Sequence, residues 1–183
     1  ANQEQFRRAY EAAKAFAEKP DGWLVLTGPS GCGKTHVAVA IANRCIENNH
    51  PVFYITTPDL LDHLRSTFSP NSEMPYDEFF EQVRNTPLLI LDDLGAQSST
   101  LWAKEKLDQL LNHRFSNQLP MVIVSIVPIE ELEERVRTRL IASNRYQIYT
   151  LEKRSPALST SSWVSEFELE KNMTFDSFDS ERV

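Results

Sequence analysis

The chain predicts an α/β fold in which a parallel β-sheet is covered by helices on both faces. Three observations carry that expectation. Short apolar runs of strand length alternate with segments of helical period along most of the sequence. Residues 28–35 match the phosphate-loop pattern G-x-x-x-x-G-K-[ST], between one such run and one such segment. A further run, Leu88–Leu91, is apolar throughout and ends in Asp92 and Asp93, as a strand buried on both faces does at the edge of a sheet.

The elements follow in order. Over residues 3–17, Phe6, Tyr10, Ala13 and Ala17 fall on one helical face, and Pro20, Asp21 and Gly22 end that helix. Trp23–Thr27 is the first strand, and a helix of about 34–47 follows the phosphate loop. Val52–Ile55 is the second strand. Thr57 and Pro58 then supply an N-cap and a first-turn proline for a helix carrying Leu60, Leu61, Leu64 and Phe68. Residues 69–75 read as a loop and 76–84 as a short helix. After Leu88–Leu91 comes a long helix with Leu107, Leu110, Leu111 and Phe115 at helical spacing. Met121–Ser125 is another buried strand. Pro128 opens a helix through Ile129, Leu132 and Val136, and Tyr146–Thr150 is the last strand.

Composition bounds the function. At 183 residues, with 41% hydrophobic and 25% charged, the chain supports one good core. A formal charge of −7 excludes a wholly basic nucleic-acid binder but leaves room for a local cationic patch. No apolar run is long enough to span a bilayer and no signal peptide opens the chain, so no membrane partner is expected. The two cysteines, Cys32 and Cys45, lack metal-ligand spacing and form no disulfide framework, which fits a reduced, cytoplasmic setting.

The phosphate loop identifies a nucleotide ligand. Gly28, Pro29, Ser30, Gly31, Cys32, Gly33, Lys34, Thr35 and His36 form the stretch that would curl around an anion at a helix N-terminus, every one of them except Pro29 offering a backbone N–H. Lys34 reaches the β/γ-phosphates, and the Thr35 hydroxyl can hold Mg²⁺. Asp92 is expected to orient Mg²⁺ through its water shell, and Asp93 to activate the attacking water. The pair could also be a plain acidic turn, but the phosphate loop favours an NTP site. Arg135, Arg137 and Arg139 crowd one helix end. Glu131–Arg135 and Glu133–Arg137 are i,i+4 pairs that account for two of them. Arg139 has no acid four residues before it, which leaves its guanidinium for a neighbour's γ-phosphate.

Three segments, Gly22–His36, Leu88–Gly95 and Glu130–Leu140, together resemble the AAA+ core of bacterial replicative helicase loaders. These are the DnaC/DnaI group, with the transposition ATPase IstB as close kin. The resemblance covers most of residues 1–151 and implies a five-stranded sheet in the order 5-1-4-3-2 without an evident C-terminal lid domain. It implies binding of ATP/ADP with Mg²⁺ between protomers, Arg139 acting in trans, and Lys34 and Asp93 in hydrolysis. It further implies self-association through the nucleotide site, a replicative helicase as partner, and single-stranded DNA contacted from the helices after strand two, including Arg65. The function implied is ATP-dependent loading of that helicase onto single-stranded DNA. The alternatives are an IstB-like transposition ATPase and a non-hydrolysing, nucleotide-bound assembly module.

Two departures from the family pattern matter. The position after strand four that is usually polar is Ile126, which cannot hydrogen-bond a water or phosphate, and Ser125 should face the other way. Weak hydrolysis is therefore expected. The chain divides into a core (1–151), a linker (152–165) and a tail (166–183). The tail resembles the segment that in this family precedes the first helix, as if the order were permuted, with Phe175 and Phe178 near the adenine pocket.

Overall fold

The computed structural model describes residues 2–67, 76–97, 100–141 and 146–152. Five strands form one sheet: β1 (Trp23–Thr27), β2 (Val52–Thr56), β3 (Leu88–Leu94), β4 (Met121–Ser125) and β5 (Tyr146–Thr150). Their order is β2-β3-β4-β1-β5, and every pairing is parallel. This is the predicted order read from the other edge. The three central strands are buried along nearly their whole length, whereas β2 and β5 at the edges are half-exposed. That difference explains why β1, β3 and β4 read as unbroken apolar runs.

Six helices cover the two faces: α1 (Asn2–Glu18), α2 (Lys34–Glu47), α3 (Thr57–Ser66), α4 (Tyr76–Asn85), α5 (Leu101–Ser116) and α6 (Glu134–Ile141). Alternation along the strands sorts the core into two layers. Leu24, Leu26, Leu88, Ile90, Val122 and Val124 meet α1 and α2. Val25, Leu89, Leu91 and Ile123 meet α3 to α6.

Two local readings are corrected. The N-cap of α3 is Thr56, not Thr57: its backbone is extended and its Oγ1 accepts from the N–H of Asp59 at 3.2 Å. Thr57 is fully buried and donates its hydroxyl to the carbonyl of Asp92 at 2.9 Å, so it serves the sheet rather than the helix end. The helix expected from Pro128 is broken. Ile129–Glu131 form a single 3₁₀ turn, Leu132 is extended, and α6 begins only at Glu134. Glu130, Glu131, Glu133 and Glu134 would place like charges three and four apart on a continuous helix, which opposes it. Ile129, Leu132 and Val136 are buried even so.

Neither expected pair, Glu131–Arg135 or Glu133–Arg137, is an ion pair among the described residues; the break accounts for the first, whereas the backbone from 133 to 137 is helical. Glu133 instead lies 3.9 Å from Lys104 on α5, and Arg135 lies 4.0 Å from Asp108. Phe68, the 69–75 loop and the linker and tail from residue 153, with Phe175 and Phe178, lie outside the described residues.

Candidate nucleotide-binding site

The loop from Gly28 to Gly33 leaves the C-terminal end of β1 and enters α2. Gly28 has φ 138°, and a Cβ there would stand 2.0 Å from the Leu151 carbonyl oxygen, so the loop's entry is pressed against the chain leaving β5. That contact is fixed on both sides: Leu151 N–H donates to the Thr27 carbonyl at 2.7 Å, and the Thr27 and Thr150 hydroxyls are 3.0 Å apart. Gly33, at φ 96°, precedes α2 without any side-chain cap. The first-turn N–H groups of this 14-residue helix thus point to the loop, the arrangement that favours an anion.

Lys34 is 5% exposed, and its Nζ donates to the carbonyls of Gly28 (2.7 Å) and Pro29 (2.8 Å), with Cys32 Sγ at 3.7 Å. Those carbonyls hold the ammonium under the loop. Pro29, Ser30, Gly31 and Thr35 are exposed, Gly28, Gly33 and His36 half-buried, and Cys32 is buried against Ala9 and Leu151.

The acids arrive from β3, separated from β1 by β4 alone. Asp92 is 1% exposed. Its Oδ1 accepts from the N–H of Asp93 at 2.7 Å and its Oδ2 from the hydroxyl of Tyr54 on β2 at 2.6 Å. The register against β4 shifts between Leu91 and Leu94, and Asp93 in that bulge takes a left-handed φ of 53°. Burial pushes the Asp93 carboxyl above its usual range and the Asp92 charge adds to this, while the Lys34 ammonium pulls the other way. Lys34 and Asp93 therefore share one electrostatic field, although they lie 59 positions apart in sequence.

Ser125 is fully buried. Its Oγ donates to the Val127 carbonyl at 2.7 Å, with that of Leu94 at 3.2 Å, and accepts from the Val127 N–H at 3.2 Å. It is committed to the turn. Ile126 instead lines a cavity of about 490 Å³ beside the loop, with Thr27, Gly28, Pro29, Ile129 and Ile148. Arg139 is half-buried on α6, its guanidinium 5.9 Å from the centre of the Phe115 ring. Among the described residues no carboxylate pairs with it, and it does not line the cavity beside the loop.

The residues present fit a magnesium ion. No three His, Cys, Asp or Glu side chains gather as a cage among the described residues, so a divalent ion would draw most ligands from phosphates and water. An exposed Thr35 hydroxyl and the remaining lone pairs of Asp92 are hard oxygen donors of that kind. The sequence did not single out Tyr54, and it read Thr57 only as a helix cap. Their signal, a hydroxyl one strand over from Asp92, exists only once β2 and β3 are known to be neighbours.

Comparison with known proteins agrees with this geometry. Residues 9–144 match the family model described as IstB-like ATP binding protein. The replicative helicase loader DnaI of Bacillus subtilis is 32% identical over 130 residues, which is 70% of this chain and 41% of DnaI. The loader DnaC of Escherichia coli K12 is 29% identical over 143 residues, 74% of this chain and 58% of DnaC. The chain thus spans about half the length of these relatives. A crystal structure of the DnaC helicase loader shares the fold, with a TM-score of 0.67 at 23% identity over 79% of this chain and 90% of that one. With loop, acidic strand and sheet order all in agreement, the chain belongs to the IstB-like ATP-binding protein family, as an AAA+ protein of the DnaC/DnaI kind.

Proposed function

We propose that this chain is an ATPase switch that assembles on ATP and loads a replicative helicase onto single-stranded DNA. The observation that carries the reading is the meeting of Lys34 and Asp93 in one field at the C-terminal edge of the sheet, beside the uncapped start of α2. In this reading Lys34 exchanges the Gly28 and Pro29 carbonyls for the β- and γ-phosphates. Thr35 and Asp92 would hold Mg²⁺, which would neutralise the phosphate charge. Asp93 takes the proton of the attacking water; its raised affinity for a proton suits a base. Arg139, with no acid partner among the described residues, serves the γ-phosphate of the adjoining protomer. Since Ser125 is committed to its turn and Ile126 is apolar, nothing from the end of β4 orients that water, and turnover is slow.

DNA contact is assigned to the α3–α5 face. There Arg65 stacks 5.1 Å over Trp102 and Lys106 lies 5.2 Å from the Tyr76 ring, a cationic and aromatic pairing suited to single strands. The match to the IstB-like family model favours one second reading, a transposition ATPase acting with a transposase. Co-purification of a replicative helicase or of a transposase separates the two.

The first test is MgATP turnover per protomer across protein concentration, with Lys34→Ala as blank. The expected result is slow turnover that rises with concentration and falls at least about a hundredfold in Arg139→Ala. Tight binding with no turnover above the blank would replace the motor by a nucleotide-bound assembly module.

A further inference from the structure

Asp92 is more tightly held than its assigned role requires of the backbone alone. The register of β2 against β3 pairs Thr56 with Asp92 and Tyr54 with Ile90. Tyr54 and Asp92 therefore project from the same face of the sheet, on neighbouring strands and two residues apart. The phenol donates to Asp92 Oδ2 at 2.6 Å, the short distance of a charge-assisted bond. From the other side, the Asp93 N–H donates to Oδ1 at 2.7 Å. An aspartate carboxylate otherwise turns easily about its last torsion. Anchors on both oxygens stop that rotation. Each oxygen keeps one acceptor position, which is what a water on a hydrated cation needs. A half-exposed edge strand does not need a hydroxyl there for packing, since the ring already packs against the layer that α1 and α2 form with the sheet.

From this geometry we infer that Tyr54 is a positioning residue that aims Asp92 at Mg²⁺ and so sets how strongly the metal tightens nucleotide binding. The inference rests on the nucleotide-site reading above. It acts through orientation: with Phe at this position, Asp92 keeps the Asp93 anchor alone and its second oxygen is free to swing away. Partners of this kind, one step removed from the metal, usually change metal affinity ten- to a hundredfold.

The test titrates Mg²⁺ against binding of a fluorescent ATP analogue, alongside the same binding in EDTA. For Tyr54→Phe, affinity in EDTA should stay within about twofold of the parent, because the phosphate loop is untouched. Half-saturating Mg²⁺ should rise roughly tenfold. In an Asp92→Asn background, adding Tyr54→Phe should change neither quantity, since the phenol acts only through that carboxylate. Thermal unfolding of each variant checks that the fold is intact, as expected when one hydroxyl is removed and the ring stays. Unchanged half-saturation in Tyr54→Phe, or an equal shift in the Asp92→Asn background, would overturn the inference. A failure of the underlying reading looks different: the parent itself would bind the analogue no better than Lys34→Ala, in EDTA or in Mg²⁺.

Discussion

Arg114 is fully buried in the last turn of α5, and among the described residues no acid pairs with it. Its guanidinium donates to the carbonyls of Arg84 (3.1 Å) and Thr86 (2.9 Å) through one nitrogen, and to that of Pro120 through the other. Arg84 is in the last turn of α4, whose final carbonyls have no partner within the helix. One side chain thus caps α4 and fixes the entries of β3 and β4, the strands that deliver Asp92 and Ile126. Burial lowers its proton affinity to about 10, still far above neutrality, so it stays charged. Arg114→Met fills the space but strands several carbonyls, and should cost about 3 kcal/mol. In thermal unfolding that loss corresponds to roughly 6–12 °C for a domain of this size. A midpoint within 2 °C of the parent, at most about 1 kcal/mol, would show that water satisfies those carbonyls instead. The residue was legible in part. Leu107, Leu110 and Leu111 put position 114 on the same apolar stripe, three, four and seven residues on. An arginine on a core stripe announces a buried cation. Two of the carbonyls that meet it, those of Arg84 and Thr86, lie 30 and 28 residues away at the end of α4 and the entry of β3, which local pattern does not show.

Among the elements, strand limits were the most legible and helix limits less so. β1 and β4 coincide with the runs read from sequence because apolar side chains on both faces stop where turns begin, and β5, half-exposed at the edge, coincides through its alternation of Tyr146, Ile148 and Thr150 with Gln147 and Tyr149. The α3 cap was misplaced by one residue because Thr56 and Thr57 offer the same hydroxyl, and only the position of Asp92 decides which one turns inward. The α6 break was harder still, since Ile129, Leu132 and Val136 keep helical spacing while their connecting backbone does not. The loop's dependence on β5 was invisible, because it joins residues 28 and 151 through backbone atoms. It carries a prediction of its own. Gly28→Ala must relieve a contact of 2.0 Å at a φ that L-residues rarely adopt, so either the loop or the end of β5 moves. Nucleotide affinity should fall at least about tenfold, with a stability loss of about 2 kcal/mol or more by chemical denaturation. Parent-like affinity would mean that the loop binds phosphate without being braced on Leu151.

At the scale of the whole molecule, one chain places the phosphate loop, Asp92 and Asp93 at the C-terminal edge of the sheet, and keeps Arg139 on α6 away from the cavity beside the loop. The loop and the acidic strand were recognisable from local pattern, whereas for Arg139 spacing showed only the lack of an acid four residues before it, since a contact with another chain is not written in local spacing. A heterologous, head-to-tail contact would bring it to the next site. Such a shared site makes a prediction that no single-chain mechanism does. Asp93→Asn retains Arg139 but lacks the base, and Arg139→Ala retains the base but lacks the guanidinium, so each should be nearly inactive alone. Mixed in equal amounts, roughly a quarter of head-to-tail contacts pair an intact site with an intact Arg139. Turnover in the mixture should therefore exceed the sum of the separate variants, rise with total concentration, and disappear when Lys34→Ala is built into the Arg139→Ala partner. A mixture no more active than its parts would confine Arg139 to its own chain, stacked on Phe115, and remove the reason for assembly to control hydrolysis.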